Sequence, residues 1–111
     1  MVSKDLNVTV TAADIGKTVD IRQGERVNVK LEENATTGYR WAIDRIEEGV
    51  LELEDSDFVL ASDTGIGGGG ERIFRFRAKS TGTSHVQLKM QREWEGDVPP
   101  IQRYDFSIRV E

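Results

Sequence analysis

Apolar and polar residues alternate with a period of two along most of this chain, as they do in strands that bury one face. Leu6, Val8 and Val10 alternate with Asn7 and Thr9, and Val19 and Ile21 follow the turn residues Asp14-Ile15-Gly16-Lys17. Gln23-Gly24 then leads into Val27, Val29 and Leu31, which Asn28 and Lys30 separate. Tyr39, Trp41 and Ile43 mark a fourth run, and Phe58 with Leu60 a fifth. Phe74, Phe76 and Ala78 form the sixth, Val86, Leu88 and Met90 the seventh, and Tyr104, Phe106, Ile108 and Val110 the eighth. Short runs of this kind, punctuated by turn residues, predict an all-β fold: an immunoglobulin-like antiparallel β-sandwich of about eight strands. Residues 44–57 fit less cleanly, since Ile46, Val50, Leu51 and Leu53 suit either a helical turn or a short irregular strand. No linker divides the chain and no internal repeat is visible, so a single domain over residues 1–111 is expected.

Three connections then stand out. Asn34-Ala35-Thr36-Thr37-Gly38-Tyr39 lies between runs three and four, Gly65-Ile66-Gly67-Gly68-Gly69-Gly70 between five and six, and Arg92-Glu93-Trp94 between seven and eight. In an up-and-down arrangement alternate connections share one end of the domain, where binding loops of such sandwiches cluster. In the first, Asn and Gly are ordinary turn residues, but the adjacent β-branched Thr36 and Thr37 stiffen the backbone and resist tight turning. A short, stiff wedge carrying two hydroxyls and a plain turn are both compatible with that segment.

The glycine run allows the backbone to lie close to another surface. A phosphate cradle would require a helix directly after it, whereas Glu71-Arg72-Ile73-Phe74-Arg75-Phe76 reads as a strand. Trp94 is flanked by Glu93, Glu95, Gly96 and Asp97. It suits an exposed interface anchor, or an indole folded back over the end of the sandwich. Trp41 has core periodicity and is assigned to packing.

Composition narrows the chemistry. The 111 residues include no cysteine, which excludes a disulfide framework, a thiolate metal site and a cysteine nucleophile. Fifteen Lys and Arg against twenty Asp and Glu give a net charge of −5, a poor basis for binding a phosphate backbone. The one local excess, Arg72, Arg75 and Arg77, interleaves with Phe74 and Phe76 and reads as the solvated face of a strand. No apolar run approaches the roughly twenty residues of a membrane span. Met1 to Leu6 has no apolar signal region, so the protein is expected to stay where it is made unless the chain is a trimmed mature form. His85, the one histidine, falls out of phase with Val86, Leu88 and Met90 and reads as a solvated strand residue, opposite in face to Ser84. Asp55, Ser56, Asp57 and Asp63 lack calcium-loop spacing. Neither an enzyme, a metal site nor a cofactor is expected.

With these loops in view, the chain resembles the chagasin-type inhibitors of papain-like cysteine proteases, an immunoglobulin-like family. Their first loop reads Asn-x-Thr-Thr-Gly-aromatic, matched by Asn34, Thr36, Thr37, Gly38 and Tyr39, with Trp41 following. Their second, Gly-x-Gly-Gly, is satisfied within Gly65 to Gly70. Their third, Arg-Pro-Trp, is matched by Arg92 and Trp94, with Glu93 in place of the proline. The resemblance implies that Thr36 and Thr37 cover the catalytic cysteine and histidine of a protease. It also implies that Trp94, with Arg92 and Glu93, packs on one rim of the cleft while Gly67, Gly68, Gly69 and Gly70 lie along the other. The implied partner is a papain-like cysteine protease, met by a monomer that needs no cofactor.

Both Asn7-Val8-Thr9 and Asn34-Ala35-Thr36 are N-glycosylation acceptor patterns. A glycan on Asn34 would block the wedge, which points to a cytoplasmic or prokaryotic setting. The alternative function is a non-inhibitory adhesion or sugar-binding module that stacks on Trp94, which leaves the paired threonines unexplained.

Overall fold

The alternation along the chain is realised as strands in the computed structural model, which describes residues 7–34, 37–60, 69–92 and 98–111. The strands are β1 Asn7–Val10, β2 Thr18–Ile21, β3 Arg26–Asn34, β4 Tyr39–Arg45, β5 Leu51–Leu60, β6 Gly69–Ala78, β7 Gly82–Arg92 and β8 Gln102–Val110. They form two four-stranded sheets, ordered β1-β3-β6-β5 and β2-β8-β7-β4. A 3-10 turn, Ala12–Asp14, joins β1 to β2 and is closed by a capping box between Thr11 and Asp14.

Inward-facing residues follow the expected phase. Val27, Val29 and Leu31 of β3 meet Phe74 and Phe76 of β6 on one sheet. Val86, Leu88, Phe106 and Ile108 of β7 and β8 line the other, and Phe76, Leu88 and Ile108 are almost wholly buried. Burying such side chains contributes about 1.5–3 kcal/mol each, and this apolar layer holds the sheets together. At one end Tyr104 also donates its hydroxyl proton to the Thr11 carbonyl, tying β8 to the β1–β2 connection.

Two pairings depart from the antiparallel pattern read from the sequence. β1 runs parallel to β3, and β2 parallel to β8. The other pairings, β3 with β6, β5 with β6, β4 with β7 and β7 with β8, are antiparallel. Followed through these registers, consecutive strands still alternate in direction. The parallel pairs arise because neighbours in a sheet are not neighbours in sequence: β1 and β3 both point one way, β2 and β8 both the other. Loop parity depends on direction and not on adjacency, so it survives.

The ambiguous stretch resolves into a connection followed by strand. Val50 and Leu51 donate their backbone N–H groups to the Glu47 carbonyl, and β5 begins at Leu51. Most of β5 is exposed, with a register shift between Leu53 and Asp55. It is a sheet edge, and its polar residues pair sideways: Glu52 with Arg77 and Asp55 with Arg75 on the adjacent β6, and Glu54 with Arg26 on β3 beyond it. Charges along an exposed edge discourage pairing with other chains.

Two carboxylates, those of Glu54 and Glu47, make the fold acid-sensitive. The hydrogen bond from Arg26 holds the Glu54 carboxyl below its ordinary value of 4.5, against the opposing effect of burial. Burial pushes the Glu47 carboxyl upward, but hydrogen bonds from Arg45 and the His85 amide, with their charges, outweigh it and leave it lowered. A carboxyl lowered on folding stabilises the protein above its unfolded value and loses that contribution as pH falls through the folded one. The thermal midpoint should therefore be flat near neutrality and decline below about pH 4.5. In Glu54→Gln the decline should be shallower. An unchanged decline would show that this pair does not contribute to it.

Candidate functional site

Three pairs of strand ends place the stems of the singled-out loops at one end of the sandwich. Asn34, the last residue of β3, is paired with Gly69, the first of β6. Leu60, the last of β5, is paired with Gly70. Tyr39, the first of β4, is paired with Arg92, the last of β7. The segment between Asn34 and Tyr39 crosses from one sheet to the other, flanked by the stem of the glycine run and by the stem leading to Trp94.

The described part of that segment is held by its own side chains. Thr37 donates its hydroxyl proton to the Asn34 carbonyl at 2.9 Å and accepts from the Tyr39 N–H at 3.2 Å. Both ends of the crossing are thus fastened to one β-branched residue with little rotameric freedom. Gly38 then adopts φ +80°, a left-handed conformation that a side chain would strain, so the glycine is required by the backbone.

Arg92 braces the same structure from β7. Its Nε donates to the Thr37 carbonyl at 3.2 Å, and its guanidinium lies 4.3 Å from the centre of the Tyr39 ring. A cation over an aromatic face at this distance is worth about 0.5–1 kcal/mol where exposed. The arginine singled out as a candidate contact residue is therefore engaged with the wedge itself. The hydroxyl of Thr37 is likewise engaged within the loop, although the residue is exposed.

Of the other candidates, Gly69 and Gly70 are strand residues. A Cβ on Gly70 would sit 2.2 Å from the Val59 carbonyl oxygen, so close approach of β5 explains that glycine. Ala35, Thr36, Gly67, Gly68, Glu93 and Trp94 lie outside the described residues. His85 is exposed on the outer face of β7, with Nδ1 3.0 Å from Ser107 Oγ, while Ser84 is fully buried on the opposite face. Among the described residues no cluster of His, Asp or Glu could hold a metal ion.

One group escaped the sequence reading. Glu33 continues the inward phase of Val27, Val29 and Leu31, yet it is 4% exposed. Its Oε1 accepts from the Trp41 backbone N–H at 2.8 Å and from Arg72 Nε at 3.2 Å, and its Oε2 from Arg72 Nη2 at 2.8 Å. Arg72 is therefore not part of the solvated face it was grouped with. It points inward, unlike Arg75 and Arg77, and its guanidinium lies 5.6 Å from the centre of the Phe58 ring. Trp41 packs in the core as expected, and its indole N–H also donates to the Glu32 carbonyl at 2.9 Å. A charged residue falling in the apolar phase of a strand, on β3 and again on β6, was the available signal.

A mixed β-sandwich that gathers three loop stems at one end, and fastens the two ends of a crossing between them, has the form of a loop-presenting binding protein. Comparison with known proteins makes the class specific. Residues 20–108 match the model of the chagasin family of peptidase inhibitors, I42. The chain belongs to that family: it is a peptidase inhibitor and not an enzyme. It is 31% identical over 106 residues to chagasin of Trypanosoma cruzi, covering 91% of this chain and 96% of that one. The cysteine protease inhibitor EhICP2 from Entamoeba histolytica shares the fold with a TM-score of 0.86 at 20% identity, over 95% of this chain and 96% of that one. PbICP-C, solved in complex with falcipain-2, is similar in fold with a TM-score of 0.66 at 15% identity, over 93% and 97% of the two chains.

Proposed function

We propose that the protein inhibits papain-like cysteine proteases by placing the segment Asn34–Tyr39 in the catalytic cleft as a wedge. In this reading Thr36 and Thr37 lie over the cysteine and histidine of the enzyme. The glycine run from Gly67 to Gly70 flanks one side, and Glu93 and Trp94 the other. The observation that carries the reading is the closed set of contacts among Asn34, Thr37, Tyr39 and Arg92, which fixes the wedge stem before any partner arrives.

Two physical consequences favour inhibition over turnover. A preformed loop loses little conformational entropy on docking, so more of the interaction energy appears as affinity. A loop held from both ends also resists the distortion that would bring one of its peptide bonds into attack geometry, and catalysis requires that geometry. An interface on the order of 1,600 Å² in total would be ordinary for such a complex.

The test is a titration of papain with the purified protein, read with a fluorogenic peptide substrate. Inhibition should approach completion near one equivalent, and the recovered inhibitor should have unchanged mass. An absence of inhibition across several papain-like enzymes would instead favour a module that binds through Trp94 without blocking a protease.

A further inference from the structure

We infer that Glu33 is a positioning residue for the wedge, acting through a buried carboxylate that joins three elements at its base. The inference rests on the wedge reading above but makes a claim of its own about how the wedge is held.

Glu33 immediately precedes Asn34, and Trp41 stands two residues beyond Tyr39, so the bond from the Trp41 N–H to Glu33 Oε1 links the two arms of the wedge. The arms belong to different sheets, β3 in one and β4 in the other. A side-chain carboxylate thus supplies a hydrogen bond between sheets that no strand ladder provides. The second arm of the tether runs to Arg72, two residues after Gly70, at the base of the glycine run. One carboxylate therefore sets the spacing between both wedge arms and the adjacent loop.

The energetics set this pair apart from ordinary stabilising contacts. The Glu33 side chain is 1% exposed and that of Arg72 16%. A buried ion pair contributes little net stability relative to apolar residues of similar size, because desolvation offsets the attraction. It does impose geometry: the planar guanidinium meets the carboxylate through two parallel bonds, and only one arrangement of the three strands satisfies them. Placed at the loop end of a largely apolar core, the pair specifies where the loop stems sit.

The variants follow from that distinction. In the double variant Glu33→Leu, Arg72→Leu both charges are replaced together by apolar groups, so the thermal midpoint should fall only by the cost of leaving the Trp41 N–H without its acceptor. The wedge should nevertheless lose its tether. Inhibition of papain is expected to weaken about tenfold or more, in keeping with lost preorganisation. Glu33→Gln keeps an acceptor for the Trp41 N–H and should fall between the two. Val110→Ala, at the opposite end of the sandwich, should lower the thermal midpoint without changing inhibition at temperatures where it is folded.

A second readout needs no papain-like enzyme. Amide hydrogen exchange at Trp41, together with cleavage within residues 34–39 by a broad-specificity protease, should accelerate in the double-leucine variant and not in Val110→Ala. If wild type does not inhibit papain, the wedge reading fails, while exchange and cleavage still decide the role of Glu33. Wild-type exchange and cleavage in the double-leucine variant would overturn the inference. So would inhibition that tracks the thermal midpoint across all the variants, because Glu33 would then be a structural residue only.

Discussion

The double variant Thr36→Glu, Thr37→Glu should remain folded and lose papain inhibition, with the inhibition constant rising at least about a hundredfold. The size follows from the cost of burying charge without a partner, about 3–5 kcal/mol for an unpaired group at a desolvated interface, at about 1.4 kcal/mol per decade. Two further effects point the same way. The attacking group of papain-like enzymes is a thiolate, and carboxylates placed over it add like-charge repulsion. Loss of the Thr37 hydroxyl also removes the bonds to Asn34 and Tyr39 that close the loop. Thr37 is exposed and touches no core residue through its hydroxyl, so circular dichroism and the thermal midpoint should change little. Inhibition retained within a few-fold of wild type would place the active surface elsewhere on the domain.

A milder pair separates charge from loop closure. Thr37→Ser keeps the hydroxyl and discards only the branching methyl, whereas Thr37→Val keeps the branched shape and discards both hydrogen bonds. If loop closure matters, Ser is the less damaging replacement even though it is the more flexible residue.

How much of this was legible in the residues depended on burial. Strands with one face in the core announced themselves through alternation: Val27, Val29 and Leu31, or Tyr104, Phe106, Ile108 and Val110, are inward wherever the pattern places them. β5 did not, because an edge strand has little buried surface to pattern. Of its ten residues only Leu51 is fully buried, and charges occupy the positions that alternation would use. The parallel pairings were also hidden, since adjacency in a sheet is set by which strands cross between layers, and no local pattern encodes that choice.

The candidate site was legible for a different reason. Stiff or unusual residues, paired threonines, a glycine run and a tryptophan among acids, are visible without any knowledge of their neighbours. Direction parity then brought their stems together. What remained out of sight was the work done between side chains distant in sequence. Nothing in Arg92 alone says that it braces Thr37 and Tyr39, and nothing in Glu33 alone says that it meets Arg72 and Trp41. The contacts Glu33–Arg72 and Thr37–Arg92 join residues that the sequence places 39 and 55 apart.

The glycine run offers the second large effect, because one of its members is fixed by packing. Gly70→Val should lower stability by about 1–3 kcal/mol or more, the usual cost of forcing side-chain atoms into an already filled space. The first added carbon would lie 2.2 Å from the Val59 carbonyl oxygen and 3.0 Å from the Leu60 Cα, both backbone atoms that cannot rotate away. The end of β5 must therefore separate from β6 at the Leu60–Gly70 pair, next to the Glu33–Gly70 pair that carries the wedge. Inhibition should weaken along with stability, which distinguishes this position from its neighbour. At Gly69 the same carbon would meet nothing within 4 Å, and Gly69→Ala should fold as well as wild type. Thermal unfolding and papain titration of the two variants side by side would check the contrast. Equal behaviour at positions 69 and 70 would mean that β5 does not crowd the base of the loop, and that backbone freedom rather than close approach requires these glycines.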